Sequence, residues 1–401
     1  MKFNSVQIAI ILIVTVFTAC QKDAIEAPSA YNFERNGQST VSFTGQTQRI
    51  AMAEELIAEL KNPTKTIDAL LQMYSNTTTA GEDANPFINE VLNQSNKSIK
   101  SKVAASKDFF SSNTTEAAVI KADFENWIKA QVTEVFPNRN ELAAPGKAGQ
   151  FADETTARYA NAKGLEYNQA VNKGLIGALM VDQMLNNYLS TTVLDEGDNK
   201  ILNDAGTVVD GKIYTTMEHK WDEAYGYLFG AASNIANPLK NLGEDNFLNK
   251  YLTRVNNDSD FSTIAQDIFD AFKLGRTAIV KGDYKLRDEQ ANIIRELVSQ
   301  VIAVRAVYYL QQSKKALPIN GSKNYGTAFH DLSEGYGFIY SLRFTRKPNS
   351  TAPYFTSIEV DELLKQLMQG NGFWEVNAAT LDNISKKIAA KFSFTIAEAA
   401  E

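Results

Sequence analysis

One cysteine, Cys20, stands in a chain of 401 residues, so no internal disulfide is open to it. Histidine is almost as scarce, with only His219 and His330. No HExxH occurs, which removes the common zinc-protease arrangement. A glycan-stacking surface would have only three indoles to draw on, Trp127, Trp221 and Trp374. Basic clusters are missing and the formal net charge is −7, which argues against nucleic acid as a partner. The longest apolar run, Ile8 to Phe17, has ten residues, whereas a bilayer-spanning helix needs about 20.

What is present starts with that apolar run. Lys2 precedes it, and the small residues Thr18 and Ala19 follow, so residues 1–19 read as a cleavable signal. Phe17, Thr18, Ala19 and Cys20 resemble a bacterial lipobox. A thiol used once, at that place, reads as a lipid attachment point. The expectation is an exported protein anchored to the outer membrane through Cys20, at the cell surface or the periplasmic face. Residues 20–30, with Pro28, read as its tether. Lysine followed by acid, Lys22 and Asp23, is similar to the surface-export tag of Bacteroidota lipoproteins.

From residue 31 the periodicity is mostly helical. Val41 and Phe43 alternate with polar residues and predict a short extended segment, with turns at Gly37 and Gly45. After it, apolar residues recur at helical spacing through nearly all of the chain, and the nine prolines fall between the periodic runs. A capping box is expected near Thr114 and Glu116. Loops are expected over PNRNELAAPGKAGQF and DEGDNKILNDAGTVVDGKIY, the second with a hairpin around Asp210 and Gly211. The fold class is therefore all-α, a helical bundle with a short extended N-terminal segment.

The two histidines open nearly the same segment, HKWDEAYGYLFG and HDLSEGYGFIYS. His219 matches His330, Glu223 matches Glu334, Tyr225 matches Tyr336 and Gly226 matches Gly337. Aromatic and aliphatic residues then match in order. The offset is 111 residues here and 121 at the preceding helices, which end in Tyr188-Leu189 and Tyr309-Leu310. This predicts a duplication, with one body made of two related halves, roughly 31–257 and 258–401.

At about 100° per residue, His219, Glu223 and Gly226 share one helical stripe, and so do His330, Glu334 and Gly337. Small residues permit close helix crossing. If the two helices cross at Gly226 and Gly337, the two imidazole–carboxylate pairs converge on a metal site, with Asp222 as a spare carboxylate. The other reading of each pair is a helix-stabilising contact worth a few tenths of a kcal/mol.

STVSFTGQTQR together with HKWDEAYGYLFG resembles a family of Bacteroidota lipoproteins known only as a domain of unknown function, DUF4856. That family is similar to the imelysin-like proteins, whose hallmark is Gly-x-His-x-x-Glu. The resemblance implies a duplicated all-helical bundle, export or lipid anchoring, and a link to iron acquisition. His219 matches the hallmark histidine, whereas Asp222 stands at its glutamate position and Met217 at its glycine. In the second segment Ser333 occupies the third position, so Glu334 is the available carboxylate.

Three readings follow. The first is a lipoprotein that binds iron, with zinc or copper as alternatives, or a metal chelate, between its halves. The second is a binding or scaffold subunit of an outer-membrane uptake complex, partnered by a transporter or another lipoprotein and using no metal. The third is a hydrolase, which two equivalent histidines suit less well than a symmetric binding site.

Overall fold

The computed structural model describes residues 25–317 and 325–401, so the signal segment, Cys20 and the Lys22–Asp23 pair lie outside the described residues. The architecture is all-α, as the periodicity predicts. The helices of the first part are α1 (Thr44–Glu59), α2 (Ile67–Ser75), α3 (Glu90–Asn93), α4 (Lys107–Phe110), α5 (Thr114–Ala130) and α6 (Tyr167–Leu175). Short α7 (Thr191–Leu194) and α8 (Asn199–Asp204) lead to α9 (Thr216–Phe229) and α10 (Leu248–Asn256). The rest are α11 (Ile264–Val280), α12 (Tyr284–Ala316), α13 (Gly326–Ser341), α14 (Ser357–Met368) and α15 (Ala378–Ala389). No described helix is long and apolar enough to cross a membrane.

The 33-residue α12 is the axis of the later part. Its middle is largely apolar and buried: Val298, Val301, Ile302, Val304, Val307 and Leu310, with the polar Ser299 and Arg305 buried among them. A helix of that kind needs partners on every side. It gets them from α10, α11, α13 and α15. Gly282, at φ +67°, turns the chain between α11 and α12 so that they lie side by side.

Two small hairpins decorate the bundle. β1 (Glu34–Arg35) pairs with β2 (Gln38–Ser39) across Asn36-Gly37, the turn chemistry the sequence offers. Helix α1 begins at Thr44, so Gly45 is helical rather than a turn residue. β3 (Gly149–Asp153) pairs with β4 (Thr156–Ala160) where a loop is expected. The strands are half exposed, so alternation there is weak and the sequence conceals them. The segment around Asp210 and Gly211 forms no strands, only a turn closed by Val209 N–H donating to Tyr214 O at 3.0 Å. The cap of α5 is Asn113, whose side chain accepts from Glu116 N–H, in place of Thr114. A full capping box occurs instead at α9, between Thr215 and Glu218.

The chain continues from α6 into π-helical turns over Ile176–Val181 and Met184–Tyr188. A side chain causes the first. Ser341 Oγ accepts from Gly177 N–H at 3.1 Å and donates to Lys173 O at 2.8 Å. Those two backbone groups would otherwise bond to each other, four residues apart. The hydroxyl sits between them and opens the helix.

Candidate functional site

Both repeated segments are helical, and their tails are core in both: Tyr227, Leu228 and Phe229 in α9, and Phe338, Ile339 and Tyr340 in α13, are buried. The glycines allow close approach as expected, but to different partners. A Cβ on Gly226 would lie 2.4 Å from Phe43 Cβ, and one on Gly337 would lie 2.4 Å from Lys173 Cβ. Helix α9 packs on α1, α11 and the π turn at 184–188, while α13 packs on α12 and α6. The two helices therefore do not cross at Gly226 and Gly337. The predicted meeting of the pairs is replaced by two separate joints.

At the first joint, His219 Nδ1 lies 2.9 Å from Ser42 O, just before α1, and the ring stacks on Tyr214. Its Nε2 is 3.9 Å from Glu223 Oε2. Glu223 also takes Gln46 Nε2 at 3.0 Å and Lys220 Nζ at 2.9 Å. Burial holds the His219 pKa below its ordinary value despite Glu223. Burial also works against charge on Glu223, but Lys220 and His219 outweigh it and lower its pKa.

At the second joint, His330 Nδ1 lies 2.9 Å from Glu166 Oε1, just before α6, and Nε2 lies 3.7 Å from Glu334 Oε1. Lys173 Nζ is 3.2 Å from the same Glu334 oxygen. Tyr251 OH reaches Glu334 Oε2 at 3.4 Å. The charges alternate in a buried row: Glu166, His330, Glu334, Lys173. Burial alone would lower the His330 pKa, but the hydrogen bond and charge of Glu166 raise it. Burial likewise opposes ionisation of Glu334, yet Lys173 and His330 hold its pKa at about 2. The equivalent histidines are thus shifted in opposite directions.

Asp222 faces away from His219. It is fully buried, accepts from Tyr31 OH at 2.7 Å, and pairs with Arg276 Nε at 3.1 Å. Arg276 also binds Glu218 Oε1 at 3.1 Å and Thr40 Oγ1 at 2.9 Å. Burial outweighs Arg276 and pushes the Asp222 pKa up to about 6. This cluster fastens the N-terminal segment to α9 and α11.

An ion shared between the halves does not fit these residues. Among the described residues no group of three or more His, Cys, Asp or Glu side chains is arranged to hold a metal. Each histidine has one nitrogen on an oxygen acceptor, and the Lys173 ammonium already occupies the Glu334 oxygen that an ion would need.

A cavity does open at the second joint. It has a volume of about 230 Å³, and Glu166 forms part of its wall. The β3–β4 hairpin supplies Arg158 and Tyr159, and the start of a π turn after α5 supplies Gln131. Lys61 and Arg139 complete its cationic side. Glu166 is therefore both a wall of the cavity and the hydrogen-bond partner of His330.

Sequence reasoning missed Glu166, Lys173 and Arg276. A trace of the last two was present: a lysine within AVNKGLIGALMV and an arginine within DAFKLGRTAIV are charges in otherwise apolar helices, and buried charges need partners. Glu166 carries no such signal. Of the three tryptophans, Trp221 is buried and donates to Phe272 O, Trp374 packs on Tyr325 and Phe329, and Trp127 lines an open depression with Tyr336.

No curated protein and no solved structure matches the chain. A family model described as a domain of unknown function, DUF4856, matches residues 28–395. The chain belongs to that family.

Proposed function

We propose that the protein is a binding protein without a resident metal, taking a small polar solute in the cavity beside His330. The observation that carries this reading is the double role of Glu166. Its buried carboxylate lines the cavity and is held by His330, which is backed by Glu334 and Lys173. A row of alternating charges fixes a carboxylate in a low-dielectric wall at a set orientation. That is what selective polar recognition requires. The His219 joint has no such cavity among those described and serves packing, with the imidazole tied to Ser42 O.

The resemblance to Bacteroidota lipoproteins and imelysin-like proteins supplies the setting. In this reading the chain is exported, held at the outer membrane through Cys20, and works beside an outer-membrane transporter or another lipoprotein. The body derives from a duplication whose second copy kept the recognition role. The test is a thermal-shift and calorimetric screen of small polar metabolites on the purified full chain, repeated with Glu166→Gln. Hits that persist unchanged in the variant would overturn this assignment. Metal analysis of the wild type and of His219→Ala and His330→Ala is expected to give no stoichiometric iron, zinc or copper that depends on either histidine.

A further inference from the structure

The cavity wall is electrostatically lopsided in a way that narrows the solute. Its lining carries three cations, Lys61, Arg139 and Arg158, and one carboxylate, Glu166, with Gln131 among them. Arg158 spends Nε and Nη2 on Asp153, at 3.1 and 3.0 Å, which orients its guanidinium from the hairpin. Arg139 uses Nη1 on Phe136 O at 3.1 Å, and neither Arg139 nor Lys61 has an ion pair among the described residues. These are cations without counter-charges at the mouth of a concave site. Gln131 gives its Nε2 to Leu60 O, next to Lys61, at 3.0 Å, while its buried Oε1 has no partner among the described residues. Gln131 is 3 % exposed and Glu166 2 %. Glu166 is the one acid in the lining, where a donor group of the solute is wanted. The 230 Å³ volume, at about 30 Å³ per water, is that of roughly eight waters, room for one small solute.

Resting on the reading of this cavity as the binding site, we infer that its solute is a small acidic amino acid, with its ammonium on Glu166 and its carboxylates on Lys61, Arg139 and Arg158. Two cations unpaired among the described residues, Lys61 and Arg139, beside the Asp153-bound Arg158 and against one carboxylate, match a molecule with two negative groups and one positive. The ring of Tyr159 covers the aliphatic part. His330, backed by Glu334, holds the Glu166 carboxylate in place, so the ammonium meets a fixed partner.

Isothermal calorimetry on the full chain tests this with L-glutamate, L-aspartate, glutarate and L-glutamine as probes. L-glutamate or L-aspartate is expected to bind. Glutarate, which lacks the ammonium, and L-glutamine, which lacks the second carboxylate, are expected to bind at least about tenfold more weakly. Lys61→Ala and Arg139→Ala, both at exposed positions that the fold does not need, are expected to weaken L-glutamate by about tenfold each. Glu166→Gln is expected to weaken L-glutamate and, by removing a carboxylate that repels a dianion, to abolish its advantage over glutarate. If neither acidic amino acid binds, or if both variants at exposed positions bind as the wild type does, the inference is overturned. A neutral solute that binds and is lost in Glu166→Gln would overturn the acidic amino acid and keep the cavity as the site. Failure of every solute in the wider screen would overturn both.

Discussion

Replacing Glu334 with glutamine removes the acid at the centre of the buried row and leaves Lys173 without its counter-charge. Glu334 is 8 % exposed and Lys173 2 %. The groups facing Glu334 come from four helices: Lys173 from α6, Tyr251 from α10, Arg305 and Tyr309 from α12, and His330 from α13. Burial opposes ionisation of Glu334, but Lys173, His330 and the Tyr309 hydroxyl outweigh it and hold its pKa at about 2, against an ordinary 4.5. At about 1.4 kcal/mol per pH unit, that difference contributes ~3 kcal/mol of stability. The sign follows from a depressed acid: the contribution is complete above pH 4.5 and is lost as pH falls toward 2. Urea denaturation of the wild type and Glu334→Gln at pH 7 should therefore differ by ~3 kcal/mol, and at pH 3 by roughly half that or less. A gap that stays constant between the two pH values, or one under about 1 kcal/mol at pH 7, would refute the buried row as the source of stability at this joint.

Other perturbations have equally definite outcomes. Arg276→Met strands Asp222 in the core, while Glu218 keeps Arg35 at 3.0 and 3.1 Å, and should cost about 3–5 kcal/mol in denaturant unfolding, with Asp222→Asn much milder because the amide keeps the Tyr31 hydrogen bond. Gly226→Ala and Gly337→Ala should each destabilise by about 1–3 kcal/mol, since the new methyl meets Phe43 or Lys173 at 2.4 Å. The histidines should behave oppositely in unfolding measured at pH 5.5 and 8. His330 has a raised pKa, so it stabilises below its ordinary 6.5 and loses that as pH rises, and His330→Gln should hurt more at the lower pH. His219 has a lowered pKa, so protonation of the unfolded chain destabilises the fold as pH falls, and His219→Gln should relieve that loss.

Much of the fold was legible because period-3.6 apolar spacing reports burial directly, and the α9 and α13 helices show it. The β3–β4 hairpin was not, because its residues are half exposed and alternate too weakly to announce strands. The matching of the two segments predicted one shared site, whereas His219–Glu223 and His330–Glu334 stand at two separate joints. It could not say what each glycine would press against. That depends on Phe43 and Lys173, which stand 183 and 164 positions away from Gly226 and Gly337. The cavity was invisible for the same reason. Lys61, Arg139, Arg158 and Glu166 come from separate elements, and none forms a local pattern with another.

The strap at the start of the body carries a consequence for how the chain acquires its shape. Tyr31 closes over Asp222, 191 residues later, and Thr40 accepts from Arg276, 236 residues later. The earliest part of the body to emerge during synthesis must therefore wait for well over half of the polypeptide before it finds its place. Until α9 arrives, Tyr31 and Phe43 lack their partners Asp222 and Gly226, and until Arg276 follows, Phe33 lacks the guanidinium it packs on and Asp222 its counter-charge. Completion of the strap is a late event, and an assembly caught short of it would display those aromatics to whatever chaperone or neighbour is at hand.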